Sequence, residues 1–202
     1  ALPYQYEASN DQSENGGVFN KKVSVFARKA GYHYGWDWGP RLVTSGIWRP
    51  VYVEAWDDAR LNDVFIRQQE VNKNCATILG EIEILADKEI EKANISITEA
   101  SSGRVLAGQS VSLKKGMNKM SLPFSIRNPK LWWSNGLGEQ YLYDFRTDLT
   151  IDNRTADTQT KKVGLRSLKI INQPDKDGKT FYVELNGVPV FAKGANYIPQ
   201  DN

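Results

Sequence analysis

The sequence has few of the side chains that build metal sites, disulfides and membrane spans. Its 202 residues include one cysteine, Cys75, and one histidine, His33. These counts exclude an internal disulfide framework and any multi-cysteine or two-histidine zinc site within the chain. The longest apolar runs are far shorter than the roughly 20 residues of a membrane-spanning helix. We therefore expect a globular chain with no metal and no cofactor.

Charge is almost balanced. The chain has 26 basic and 24 acidic residues, which gives a net charge of +2. Proteins that bind nucleic acid or membrane surfaces concentrate basic charge, so we expect neither partner. The chain opens Ala1-Leu2-Pro3-Tyr4, without Met and without a signal-peptide pattern. This opening predicts a processed product or an internal slice of a longer protein.

Apolar and polar residues alternate along most of the chain, which is typical of half-buried β-strands. Residues 78–84 alternate isoleucines with carboxylates, and residues 51–56 and 94–98 show the same period. Good helix formers are concentrated at 86–93, between two strand patterns, and we interpret them as a charged connection. Asn186-Gly187 lies between two apolar runs and predicts a β-hairpin, because both turn positions need a positive φ.

Composition divides the chain into pieces. Residues 1–57 are rich in glycine and aromatics, and 57–63 form a polar joint. Residues 64–166 carry strand patterns and turn signals at the spacing of a sandwich of about seven strands. A turn-rich loop at 172–179 precedes the hairpin, and the last ten residues stop without a terminating element. We predict a mainly β fold, cut at its end.

Tryptophan is in excess, and part of the excess marks a candidate site. Within the Gly- and aromatic-rich stretch 31–41, Asp37 lies between Trp36 and Trp38. Such a carboxylate can bind sugar hydroxyls while an indole packs on the ring face. The alternative is an Asx-type turn pinned by core tryptophans. We interpret the other four tryptophans as structural anchors: Trp48, Trp56, Trp132 and Trp133.

A second candidate site is the polar segment near the end of the chain, with Asn196 and Asp201. Polar side chains at the end of an apolar strand are common at the catalytic face of a (β/α)8 barrel. A loop cap explains them equally well. We expect His33 to be a structural, hydrogen-bonded residue, and Glu81 and Glu83 to lie on a solvated strand edge. There is no Gly-rich phosphate loop and no nucleophile-elbow motif.

Several strings, in order along the chain, resemble the family 2 glycoside hydrolases. The end of that family's sugar-binding domain resembles SGIWRPV at 45–51, and its immunoglobulin-like domain resembles PKLWWSNGLGEQYLY at 129–143. The exit from that domain is similar to KVGLR at 162–166. The start of the catalytic barrel is similar to the segment from Asn186 to Asn196. The string GWDWGP at 35–40 resembles the β-mannosidase branch in particular.

The resemblance implies an architecture. Residues 1–57 would be the C-terminal part of a jelly-roll sugar-binding domain, 58–166 an immunoglobulin-like β-sandwich, and 167–202 the first hairpin and strand of a truncated (β/α)8 barrel. Such enzymes retain configuration through two glutamates on later barrel strands, and no residue of this chain matches either. The chain therefore has no catalytic residue, and we expect it to be inactive by itself.

The resemblance also implies substrate contacts. Asp37 would bind a mannosyl hydroxyl, with Trp36 and Trp38 in support, and Asn196 and Asp201 would lie near the same pocket. The substrate would be a terminal, non-reducing β-D-mannosyl residue. Two positions depart from the family pattern: Ser134 replaces a common proline, and Tyr197 a common tryptophan.

Two other functions stay open. One is a non-catalytic carbohydrate-binding or interaction module built on a β-sandwich. The other is a different family 2 activity, such as that of a β-galactosidase, which would lack the GWDWGP string. Unpaired strand edges in residues 1–57 predict self-association of the chain. Localisation is undetermined; periplasmic, secreted and lysosomal sites all fit the parent enzyme.

Overall fold

The computed structural model describes residues 28–35 and 40–197. They fall into two compact units. One unit is Glu54–Lys193; the other comprises the described residues up to Val53 and those from Gly194 onward. Apart from a 3₁₀ turn at Gly31–Tyr34, the regular structure of the described residues is β-strand. The mainly β fold class expected from the sequence is confirmed.

The first sheet of the larger unit has three antiparallel strands in the order β1-β2-β5. The alternating pattern of the central strand points Ile78, Ile82 and Ile84 inward, where they are fully buried. Pro123 lies in an outer strand of this sheet. Proline is tolerated there because the N–H that it lacks is not needed to bond an inner strand. The strands are β1 (Ala59–Val71), β2 (Cys75–Ala86) and β5 (Gly116–Arg127).

The second sheet has four antiparallel strands in the order β4-β3-β6-β7. Residues 86–93, the helix formers of the sequence, form no helix, but the connection expected there is confirmed only for 87–89, since Ala86 ends β2 and strand β3 begins at Ile90. The two sheets together contain the seven strands that the sequence predicted. The strands of this sheet are β3 (Ile90–Glu99), β4 (Arg104–Leu113), β6 (Tyr143–Ile151) and β7 (Arg154–Val163).

The core lies between these two sheets. An aromatic group at its centre joins them: Phe145 packs edge-on against Phe124 at 5.6 Å and stacks on Tyr143 at 5.6 Å. The Tyr143 hydroxyl accepts a 2.9 Å hydrogen bond from the Lys130 N–H, and burial raises the pKa of this phenol. Isoleucine, leucine and valine fill the rest, and burying each of them contributes roughly 1.5–3 kcal/mol.

Side chains join the sheets along one side, where β1 faces β7. The Leu61 N–H donates to Asp157 Oδ2 at 2.7 Å, and Gln159 Nε2 donates to the Leu61 carbonyl at 2.7 Å. Further along β1, Gln68 Nε2 donates to the Gly164 carbonyl at 3.3 Å and Gln68 Oε1 accepts from the Arg166 N–H at 2.9 Å. Backbone groups at the rims of the sheets thus find partners without a continuous ladder.

Charged residues cover the outer face of β2. Glu81 pairs with Arg67 at 2.8 Å, and Glu83 pairs with Lys119. The hydrogen bond from Lys119 lowers the pKa of Glu83, and Asn62 donates a second one. The sequence interpretation of these glutamates as a strand edge was wrong, because β2 is the central strand. They are solvated because they point away from the core, and such surface pairs contribute little to stability.

Beyond the sandwich, a small sheet contains the expected hairpin. Its order is β12-β11-β8, and Asn186 and Gly187 form the turn with φ values of 53° and 82°. Both are left-handed, as the Asn-Gly pair predicted. The strands of this sheet are β8 (Leu168–Ile171), β11 (Tyr182–Leu185) and β12 (Val188–Val190). Two further short strands, β9 (Pro174–Asp175) and β10 (Gly178–Lys179), pair with each other in a separate sheet.

Two sequence expectations about the first part of the chain were wrong. Residues 51–56 alternate like a strand but have no regular structure and are exposed. A strand needs a neighbour to bond, and no other described segment pairs with them. Trp48 is 81% exposed, and among the described residues the Arg49 guanidinium is what stacks on it, so it is not a core anchor here.

The Thr147 hydroxyl is a polar group buried in the core of the sandwich without a hydrogen-bond partner among the described residues. The residue is 0% exposed, and its Oγ1 has no hydrogen-bond partner in the described part of the chain. Thr147→Val keeps the shape and removes the unpaired oxygen, so we expect the free energy of unfolding to rise by about 1–2 kcal/mol. Urea unfolding measures it. Thr160→Val, at an exposed position of β7, should change little; a destabilised Thr147→Val protein would contradict the prediction.

Candidate functional site

The residues on either side of the Trp-Asp-Trp string are held together by backbone and side-chain contacts. The 3₁₀ turn Gly31–Tyr34 ends at Gly35, whose φ of 104° favours glycine. The Leu42 N–H donates to the His33 carbonyl at 3.1 Å, and Arg41 bonds the Tyr34 carbonyl and lies over the Tyr34 ring at 5.3 Å. Tyr34 is 4% exposed and anchors this pair of flanking segments.

Most of the residues predicted to bind sugar lie outside the described part of the chain. Trp36, Asp37 and Trp38 lie outside the described residues, as does Asp201. Their roles as substrate contacts therefore stay predictions. What the structure adds is that the segments on either side of residues 36–39 are joined by the hydrogen bond from the Leu42 N–H to the His33 carbonyl.

The remaining candidate, Asn196, is described, and so is His33, which the sequence predicts to be structural. Asn196 is exposed in an irregular segment, and its side chain has no hydrogen bond to any other described residue. Residues 191–197 form no strand, because no described segment pairs with them, so the first barrel strand stays a prediction. The His33 N–H bonds the Ala30 carbonyl and its ring stacks on Tyr32 at 4.6 Å, although its buried Nδ1 has no partner in the described residues.

Trp132 and Trp133, at the end of the sandwich, each pack closely against a glycine. These contacts explain why glycine occupies positions 138 and 164. A Cβ on Gly164 would lie 2.7 Å from Trp132 Cγ and Cδ1, and a Cβ on Gly138 would lie 2.9 Å from the same atoms of Trp133. The Arg166 guanidinium lies over the Trp132 ring at 5.0 Å. Both indoles are half-buried, and the anchor interpretation holds for this pair.

Asn186 attaches the hairpin to this end of the sandwich. Its Nδ2 donates to the Trp132 carbonyl at 3.0 Å, while its Oδ1 accepts from the Ser167 N–H at 2.9 Å. Its own N–H donates to the Ser167 carbonyl at 2.9 Å, and the Trp132 N–H donates to the Leu165 carbonyl at 2.8 Å. The turn residue of the hairpin therefore also fixes where the hairpin lies against the sandwich.

A groove of about 700 Å³ lies between the sandwich end and the hairpin. The end of β1 and the start of β8 form its walls, and Trp133 lines it together with polar side chains, including Gln69 and Glu184. Sequence reasoning missed this groove. The Trp132-Trp133 pair was a usable signal, but Gln69, Trp133 and Glu184, which meet there, are separated by about 50 to 115 positions in the chain.

The described residues include no group of three His, Cys, Asp or Glu that could hold a metal ion. Among the same residues, none of the helical segments has the length and apolarity to cross a membrane.

The two-sheet sandwich and the hairpin that follows it are similar to parts of known carbohydrate-active enzymes. The family model for glycosyl hydrolases family 2 matches residues 59–166, which is the sandwich and its exit. A second model, the galactose-binding domain-like module of glycosyl hydrolase 2, matches residues 2–49. The chain belongs to family 2 of the glycosyl hydrolases.

Curated relatives are similar over nearly the whole chain. The chain is 34% identical over 194 residues to β-mannosidase B of Aspergillus flavus and 36% identical over 199 residues to that of Aspergillus clavatus. Each match covers 95% of this chain and 23% of the relative. The chain thus spans about a quarter of the length of the curated relatives it matches.

Solved structures of glycoside hydrolases are also similar to this chain. A β-D-mannosidase from Dictyoglomus thermophilum is 34% identical, with a TM-score of 0.77 over 98% of this chain and 25% of that one. The exo-chitosanase CsxA of Amycolatopsis orientalis has a TM-score of 0.60 over 71% of this chain and 17% of its own, at 21% identity. The second likeness concerns the fold alone.

Proposed function

We propose that the full-length protein containing this chain is a retaining β-mannosidase that hydrolyses terminal, non-reducing β-D-mannosyl residues. The observation that carries the proposal is the 34% identity, over 95% of the chain, to proteins named β-mannosidase B. The GWDWGP string at 35–40 supports it. Retaining glycosidases use two carboxyl groups about 5–5.5 Å apart, one as nucleophile and one as acid/base. We place both outside this chain.

The part of the reaction that we assign to this chain is substrate binding. Asp37 accepts a hydrogen bond from a mannosyl hydroxyl, and Trp36 and Trp38 offer apolar ring faces to the sugar. Asn196 and Asp201 contribute polar contacts to the same substrate. The hydrogen bond from Leu42 to His33 supports this assignment, since it fixes the segments that flank residues 36–39.

We further propose that the architecture follows the boundaries predicted from the sequence. A jelly-roll part would occupy 1–57, the immunoglobulin-like sandwich 58–166, and the first elements of a (β/α)8 barrel 167–202. The family matches to 2–49 and 59–166 support the first two assignments. A β-mannoside is the proposed partner, and self-association of the chain through strand edges stays a prediction.

Asp37→Ala tests the proposal in the full-length enzyme. We expect kcat/KM for nitrophenyl β-mannoside to fall about tenfold or more, equivalent to ~1.4 kcal/mol of lost transition-state stabilisation. Asp177→Ala, which removes an exposed carboxylate near β10, is the matched control and should leave the rate unchanged. The 202-residue chain alone should release no nitrophenol, because it carries neither catalytic glutamate.

Three outcomes would count against this assignment. Unchanged kinetics in Asp37→Ala would show that residues 36–39 form a structural turn. A thermal unfolding midpoint lowered together with kcat/KM would show that Asp37 acts through the fold. Turnover by the purified 202-residue chain would show that catalysis does not depend on residues outside it.

A further inference from the structure

We propose that the groove between the sandwich end and the hairpin is a second carbohydrate-binding site, which takes a neutral oligosaccharide. The groove is formed wholly by residues of the Glu54–Lys193 unit, so it does not include the Trp-Asp-Trp string. Its volume of about 700 Å³ lies within the range of small-molecule sites, roughly 300–1,000 Å³. This inference rests on the groove alone, and only the choice of mannose-based probes in its test rests on the proposed function.

Trp133 is the aromatic surface of this site. The Gly138 backbone lies against the indole, so close that a Cβ there would be 2.9 Å from Cγ and Cδ1. The Trp133 N–H also donates to the Glu139 carbonyl at 3.0 Å, which fixes the main chain. The ring is thus held in place before any ligand arrives. Its Nε1–H has no partner in the described part of the chain, so an apolar face and a free donor are both available.

A β-bulge brings a polar side chain to the same groove. The pairing of β1 with β2 slips between Gln68 and Glu70, so Gln69 opposes no residue of β2. Bulges of this kind re-aim side chains and are frequent beside binding sites. The Gln68 amide holds Gly164 and Arg166, whereas the side chain of Gln69 is exposed and bonds no other described residue.

Charges on the rim favour a neutral ligand. Lys73, Lys169 and Arg166 line the groove, but so do Glu70 and Glu184, and the Arg166 guanidinium is engaged with the Trp132 ring. Lys169 and Glu184 are direct cross-strand neighbours and form no ion pair in the described structure, which leaves both available to hydroxyl groups. Mixed signs disfavour an anion such as a phosphate or a nucleic acid. A chain of neutral sugars, with apolar ring faces and many hydroxyls, fits both the indole and the polar rim.

The test follows the Trp133 indole N–H by ¹⁵N NMR in the 202-residue chain carrying Asp37→Ala, which removes the proposed primary contact. Trp133→Phe identifies the signal by its loss. We expect β-1,4-mannotriose to shift this signal saturably, and Gln69→Ala and Glu184→Ala each to raise the Kd about fivefold. Gln109→Ala, at an exposed position of β4 outside the groove, should leave the Kd unchanged.

The outcomes separate this site from the proposed function. A signal that does not shift, or a Kd unaffected by Gln69→Ala and Glu184→Ala, overturns the second site. A shift seen only when Asp37 is intact assigns all binding to residues 36–39. In the full-length enzyme, Gln69→Ala should raise KM for mannotriose and leave KM for nitrophenyl β-mannoside unchanged. Equal KM changes on both substrates would also overturn the proposal.

Discussion

Gly80→Val is expected to lower the free energy of unfolding of the sandwich by about 3 kcal/mol. Gly80 is a buried residue in the middle of β2, and a Cβ there would lie 2.3 Å from Ile97 Cδ1 of the opposite sheet. Ile97 is 0% exposed, so its side chain cannot swing out into solvent to make room. Any side chain at position 80 must therefore push the two sheets apart or force Ile97 from its rotamer.

A double-variant cycle identifies the cause. Ile97→Val removes the one carbon that a new Cβ would strike, so Gly80→Ala should be much less destabilising with Ile97→Val than alone, by about 1 kcal/mol. Urea unfolding of the four proteins gives the coupling. Gly108→Val is the matched control, because a Cβ there meets nothing closer than 3.5 Å. Additive effects of Gly80→Ala and Ile97→Val would show that the contact is not what excludes a side chain.

Gly164→Ala is expected to be similarly destabilising, by about 2–4 kcal/mol. The new Cβ would lie 2.7 Å from the Trp132 ring, and that residue is held by bonds to Leu165 and Asn186 and by the Arg166 guanidinium. Because Trp132 cannot move without breaking these contacts, the damage should reach the hairpin.

Hydrogen exchange locates this damage. Amide protection of Ser167 and Asn186 should fall more than that of β2 and β3 in Gly164→Ala. Gly46→Ala, at a glycine with open space around its Cβ position, should change neither stability nor exchange. Uniform loss of protection across the sandwich would mean that Gly164 supports the core and not the attachment of the hairpin.

Those parts of the fold that depend on short-range pattern were predictable from the sequence. The alternation of isoleucine and glutamate at 78–84 predicted a half-buried strand, and Asn186-Gly187 predicted the turn that the structure shows. Each depends on a few neighbouring residues, because strand faces alternate with period two and a left-handed turn needs particular side chains.

The same reasoning failed where the outcome depends on distant residues. Residues 51–56 alternate like a strand, yet alternation does not supply the neighbouring strand that would bond them. Trp48 is apolar, yet nothing in its own sequence context determines what covers it. Glycine at position 80 looks unfavourable in a strand until Ile97, seventeen residues later, is seen to need its space.

The candidate sites also differ in whether neighbouring or distant residues determine them. The string at 35–40 could be found by residue type, because a carboxylate between two indoles suits a sugar. The groove could not, since Gln69, Trp133 and Glu184 come together only after β1, the sandwich exit and the hairpin have met. The bulge that re-aims Gln69 also leaves no mark in the local pattern of β1.

The bonds between β1 and β7 set an order of events during synthesis. The Leu61 N–H pairs with Asp157, 96 positions later, and Gln68 pairs with Gly164 at the same separation. Ribosomes add about 5–20 residues per second, so β1 waits roughly 5–20 seconds for the strand that closes the sandwich. During that interval the β1–β2 hairpin can form, but the apolar face of β1 has no cover. A cell that makes this protein must keep that nascent face from other chains until residue 164 has left the ribosome.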